Sequence, residues 1–328
     1  MRNVQVRNRG DNLGEIFITG VGRSGTSLIQ SMLAAHPDIT FLPETAFIRR
    51  LIATGKLAAV IDSKGKEGVR LFLENDQLFQ RTELRAGEIV EQAFDKGDGT
   101  AGNVYQAMMM VARRRQGNFL VGDKDPRSIE WLPLVKALLP ECHVIHIIRD
   151  PRDVLASKKK ASWSRGRKVL FQLFAGRVQL KLGRSLGYPL FGERYHEVVY
   201  EELLAWPEKT LNRLCLDLGI SFSPEMLEFG VAARSLISES ELSWKKETLG
   251  PLLKDNINKW RHQLNDVEVS LTEIICKEAF NVYSYEHSGK VQSLSFQKKV
   301  YVYSMWLFVA VLDPVYRSYR TLCVRRYL

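Results

Sequence analysis

The stretch GVGRSGTS, residues 20–27, gathers the groups that an anion needs. Its glycines let the backbone approach a ligand, Ser24, Thr26 and Ser27 add hydroxyls, and Arg23 adds a permanently charged fork. Gly20 and Gly25 have the spacing of a phosphate-binding loop, yet Thr26 stands where a Walker loop carries lysine. A kinase or nucleotide hydrolase needs that lysine on the β/γ-phosphates and a hydroxyl on magnesium. The nearest match to an apolar run ending in a magnesium-binding acid is FLVGD, residues 119–123, and Lys124 follows its acid at once. The pattern predicts a phosphate-bearing donor handled without metal, its charge balanced by fixed cations.

Such a loop works when a strand delivers it and a helix receives it. EIFITG (15–20) reads as a buried strand, and TSLIQSMLAAH as a helix with Leu28, Ile29, Met32 and Leu33 on one face, stopped at His36-Pro37. The grammar repeats: NFLVGD is a strand, RSIEWLPLVKALL a helix, CHVIHII a strand, and RDPRDVLASKKK a helix with Pro151 in its first turn. HEVVYEELL gives a last strand running into a helix, and PEKTLNRLCLDLG a further helix closed by Gly219. This alternation predicts an α/β fold: a P-loop-like central parallel sheet flanked by helices, with ligand at the carboxyl ends of the strands. A helical insertion is expected at about 50–117 and a helical tail at 289–328, after a flexible amino terminus (1–13) and a main domain over 14–288.

Composition sets outer bounds. Lysine and arginine outnumber acids 47 to 37, a net charge of +10 that favours anionic partners without choosing among them. The four cysteines lie far apart, with no metal-ligand spacing, so a reducing compartment and no metal site are expected. The polar amino terminus lacks the apolar core of a signal peptide, which predicts a cytoplasmic protein. KKKASWSRGRK, residues 158–168, opens a nucleic-acid-binding alternative, but only Trp163 is interleaved as a stacking platform, so no nucleic-acid partner is expected.

FITGVGRSGTSLIQSMLAAHPDI resembles the 5′-phosphosulfate loop of sulfotransferases that use 3′-phosphoadenylyl sulfate (PAPS), and VIHIIRDPRDVLAS resembles their 3′-phosphate-binding strand, loop and helix. The likeness spans roughly residues 14–265. It lies nearest the tyrosylprotein and bacterial carbohydrate branches; the cytosolic small-molecule branch carries lysine at position 23 and tryptophan at position 28, where this chain has Leu28. The resemblance implies that Arg23, Ser24, Gly25, Thr26 and Ser27 surround the phosphosulfate, and that Arg149 and Ser157 hold the 3′-phosphate. It implies that Lys124 contacts the sulfonate or bridging oxygen, and that Tyr200 and Lys259 bind donor, with Trp260 packing nearby. A plainer reading pairs Arg149 with Asp150 or Asp153, and Lys124 with Asp123 or Asp125.

Sulfonate transfer needs a base for the acceptor hydroxyl. Glu44, His36 and His146 are the candidates; related branches carry a catalytic glutamate where Glu44 stands. The expected acceptor is a glycan or glycolipid hydroxyl, with a protein tyrosine as the alternative. The tail holds thirteen mostly apolar residues, 300–312, too few to span a bilayer of about 30 Å. Pro314, Arg317, Arg320, Arg325 and Arg326 follow, a pattern that predicts a helix either lying on an anionic membrane surface or packed on protein.

Overall fold

The computed structural model describes residues 14–161, 168–238, 241 and 249–325. Five strands form one sheet: β1 (Gly14–Gly20), β2 (Ile39–Phe41), β3 (Leu120–Lys124), β4 (His143–Ile148) and β5 (Tyr195–Val199), in the order β2-β3-β1-β4-β5. Every pairing is parallel; Ile18 of β1 sits opposite Lys124 of β3 on one side and Ile145 of β4 on the other. The strands are apolar on both faces because helices cover both. Phe17, Val121, Val144 and Tyr195 point to one face, and Ile16, Ile18, Ile145 and Ile147 to the other.

The first face is covered by the insertion. The longer helices begin, in chain order, with α1 (Thr26–Ala34), α2 (Lys56–Glu74, bent at Gly65), α3 (Ala86–Asp95), α4 (Ala101–Gln116) and α5 (Leu132–Leu138); α2 to α4 of the insertion build that layer together with α5. The expected helix over 127–139 begins instead as a 3₁₀ turn, Pro126–Trp131, capped by the Asp125 side chain on the Arg127 N–H. Prolines at 126 and 133 each start a new helical segment there. On the second face lie α1, α8 (Tyr200–Ala205), α9 (Pro207–Asp217) and α10 (Gly230–Leu236). α6 (Pro151–Lys160) follows β4, with Pro151 at its first position and Asp150 as its cap, and α7 (Val169–Phe191) runs back to β5.

α11 (Asp266–Ile275) and α12 (Phe296–Arg325) complete the molecule, α12 lying against α7 and α11. Val302 and Val309 are buried there with Leu173, Leu271 and Ile275. Asp313, 2 % exposed, is held by Arg177 (3.0 Å), Lys181 (2.8 Å) and Arg317 (2.9 Å). No helix among the described residues is long and apolar enough to cross a membrane.

Candidate active site

With all strands parallel, the loops after β1, β3 and β4 meet on one rim. A cleft of about 350 Å³ opens there, walled by Gly22 to Ser27 except Ser24, and by Glu44, Lys124, Arg149, Ser157 and Tyr200. Gly25 turns the chain from β1 into α1 in the left-handed region, φ 108°. A side chain at this position would also strike Tyr200, since a Cβ would lie 2.3 Å from its Cδ2. Arg23 is left-handed too, φ 77°, a conformation that non-glycine residues rarely adopt. No side chain caps α1, and Thr26 and Ser27 at its start line the cleft.

Ser24 departs from the expected arrangement. Its Oγ turns away from the cleft toward a small internal cavity shared with His146, and has no hydrogen-bond partner among the described residues. The tight turn closed by the Ser24 N–H on the Val21 carbonyl (3.0 Å) sets that direction.

Arg23 Nε donates to Ser157 Oγ (3.0 Å), joining the first loop to α6. Arg149 donates to the Arg23 carbonyl (3.3 Å) and the Asn256 carbonyl (2.7 Å), and its guanidinium lies 4.2 Å from the Tyr200 ring centre. Its ion pairing with neighbouring acids does not form. Asp150 binds Arg152, and Asp153 accepts the backbone N–H groups of Asn258 (2.7 Å) and Trp260 (2.9 Å). Those two bonds turn Asn256 toward the cleft, where its Nδ2 donates to the Tyr200 hydroxyl (2.8 Å). Lys259 is not part of the cleft wall, and Trp260 is core, stacked beneath Arg152.

Lys124 also pairs differently from the plain reading. Its ammonium, 1 % exposed, makes a short ion pair with Glu44 and lies 3.5 Å from Ser27 Oγ. Asp123 is taken by the Tyr105 hydroxyl (2.9 Å), and burial pushes its carboxyl up to about 6. Asp125 is taken by Arg49 (3.0 Å) and Ser128 (2.9 Å). The segment bearing Glu44 is anchored by Gln30 on the Leu42 carbonyl (3.0 Å) and by Arg81 on the Glu44 carbonyl (3.2 Å).

Neither histidine reaches the cleft. His36 Nδ1 accepts the Asp38 N–H (3.0 Å), so Nε2 carries the proton that it donates to the Ser221 carbonyl (2.8 Å). His146 is fully buried, and burial, then Arg184, pushes its pKa down to about 3. Sequence reasoning missed Arg49, Arg127 and Asn256, all on the cleft wall. Arg127 lies three residues past Lys124 and Asn256 three before Lys259, so both loops were flagged through a neighbour. In KKKASWSRGRK, residues 162–167 with Trp163 lie outside the described residues; Lys159 pairs with Glu268 (2.6 Å).

This is a P-loop-like α/β protein whose first loop and uncapped helix start, with Arg23, line the cleft. The chain belongs to the sulfotransferase family, whose defining pattern matches residues 15–224. It is similar to protein-tyrosine sulfotransferase 2 of Gallus gallus (25 % identity, over 75 % of this chain and 62 % of that protein). It is also similar to nodulation protein NoeE of Sinorhizobium fredii (26 %, over 83 % and 66 %). The chain thus spans slightly under two thirds of each. Among solved structures, the sulfotransferase domain of the Synechococcus PCC 7002 olefin synthase shares the fold, with TM-score 0.59 and 19 % identity over 85 % of this chain and 98 % of that one.

Proposed function

We propose that the chain transfers the sulfonate group of PAPS to an acceptor hydroxyl on a glycan or glycolipid, with Glu44 as general base. The observation that carries this reading is the meeting of Glu44 and Lys124 beside Ser27, at the mouth of an uncapped phosphate loop. The donor suits the residues present: buried Arg149 Nε has no partner among the described residues, and Tyr200 with Gly25 leaves a smooth wall beside it. When bound, PAPS supplies a sulfonate already activated by a phosphate leaving group.

Arg23 and the first-turn N–H groups of α1 hold the phosphosulfate, and Arg149 with Ser157 holds the 3′-phosphate. Leu204, Phe229, Leu252 and Leu253 supply an apolar wall for the donor's adenine ring. Lys124 offers its ammonium to the oxygen on which charge builds as the bond to sulfur breaks. Glu44, 25 % exposed and held by Lys124, takes the proton from the attacking hydroxyl. The likeness to a protein-tyrosine sulfotransferase supports a peptide tyrosine as the competing acceptor. On the preferred reading the outer face of α12 rests on a membrane that displays the acceptor.

PAP, the desulfonated donor, should raise the unfolding temperature without added metal. Glu44→Gln should leave that shift intact while turnover falls by about 10² to 10⁴. Normal turnover in a variant that still binds PAP removes Glu44 as base. Transfer to a tyrosine peptide and not to a glycan, measured with labelled PAPS, overturns the acceptor assignment.

A further inference from the structure

The cleft does not end at Arg127. A second cavity of about 140 Å³ shares Gly22 and Arg127 with it and continues between α7 and α12. Phe171, Phe174, Ala175 and Val178 of α7 form one side, and the Tyr316 ring of α12 the other, edge-on to Phe174 at 5.6 Å. Part of its polar lining is engaged with itself around Glu130. Glu130 accepts from Gln179 (2.8 Å) and from the Tyr316 hydroxyl (3.2 Å), and is ion-paired with Arg320 (3.0 Å). Lys158 and Gln172, both buried, line it on the side of Gly22 and Arg127, and the stretch toward the opening is apolar, with Phe171 57 % exposed.

The outer end of this groove meets the bare flank of α12. Helical spacing places Leu312 and Tyr319 beside Tyr316, and they are 37 % and 58 % exposed. Between Val300 and Leu322 the charged side chains of α12 are Asp313, Arg317 and Arg320, of which only Arg317, a third exposed, reaches the surface to any extent. A track therefore runs from the rim of the cleft to the surface, polar at Arg127, Lys158 and Gln172 and apolar beyond them, a path that a sugar alone would not need. A hydrocarbon chain lying in it would bury against the two phenylalanines and leave a hydroxyl-bearing head at Arg127, in the cleft that Lys124 and Glu44 also line.

We propose that the acceptor is an amphiphile, a hydroxyl-bearing head on an acyl or isoprenoid chain, and that the groove between α7 and α12 binds that chain. This rests on the sulfonate-transfer reading. The test uses full-length protein saturated with PAP and the methyl, hexyl and decyl β-glucosides below their micelle concentrations, titrated by calorimetry. Decyl glucoside should bind about tenfold or more tighter than methyl glucoside, following the methylene area buried. Ala175→Trp, which fills the groove from a half-buried position, should abolish the chain-length effect, and Ala175→Ser should keep it; both should retain the thermal shift with PAP. Equal affinity along the series, no binding of any glucoside, or a chain-length effect that survives Ala175→Trp overturns the groove. Loss of the PAP shift in the unmodified protein overturns the donor reading instead.

Discussion

Arg149 makes no direct ion pair with the acids around it, whose hydrogen bonds go elsewhere: Asp150 to Arg152, Asp153 to the backbone at 258 and 260, Glu201 to the Asp150 N–H and the Tyr285 hydroxyl. Arg149→Ala should therefore weaken PAP binding by about 1.5–3 kcal/mol and erase the preference for PAP over 5′-AMP. Ser24→Ala should change PAP affinity little, since its Oγ faces the interior. Titrating both nucleotides into both variants checks the pair of outcomes; a large loss in Ser24→Ala means that the serine turns into the cleft on binding. The loop residues could be read directly from the sequence because one continuous turn carries them. The Glu44–Lys124 pair could not, because its members are 80 positions apart and only the β2–β3 pairing brings their segments together. Asn256 escaped notice for a similar reason: which side of its loop faces the cleft is decided by Asp153.

At the scale of elements, α12 differs most from its sequence reading. Its apolar run ends at Leu312 on paper, but the helix continues through Pro314 to Arg325. Proline gives up one helical hydrogen bond; packing at Val309 and Val324 and three cations on Asp313 secure the helix on either side. Two arginines assigned to an anionic surface point inward, Arg317 to Asp313 and Arg320 to Glu130 and the Trp131 ring. Neutralising buried carboxylates draws them there. The exposed apolar stripe of α12 is Val300, Tyr303, Leu307, Val311, Val315 and Leu322, and the proposed membrane contact would fall there. Because Val302 and Val309 belong to the core, removing the helix would damage the fold, so substitution on the outer face is the cleaner test. Full-length protein should float with anionic liposomes, and Leu307→Asp/Val311→Asp should not. Flotation by neither, or by both alike, counts against membrane contact.

For the whole molecule, strands buried on both faces show as short apolar runs, which is why the α/β alternation could be read without tertiary information. α7 could not be read in the same way. It is enclosed by β4, α5, α6, α11 and α12, and Gly176, Gly183, Gly187 and Pro189 interrupt any one-sided pattern. His146, in the middle of β4 and facing α7, carries a consequence for acid tolerance. Folded, it stays neutral down to about pH 3, whereas an unfolded histidine titrates near 6.5. Its contribution is complete above 6.5; below that the unfolded chain takes up a proton that the folded one refuses. Stability should then fall by about 1.4 kcal/mol per pH unit from this residue alone. Asp123 opposes it over part of the range: with its carboxyl raised to about 6 from 3.8, the folded state takes up the proton first and gains stability as pH falls between those values. The readout is therefore the difference between the unmodified protein and His146→Gln in urea unfolding, where Asp123 cancels. Going from about pH 7.5 to about pH 5.5, the stability difference should move by about 1.4 kcal/mol in favour of the variant. A difference that holds constant with pH means that His146 is protonated in the folded state, and a sheet centre that binds a proton so readily cannot be as dry as its burial implies.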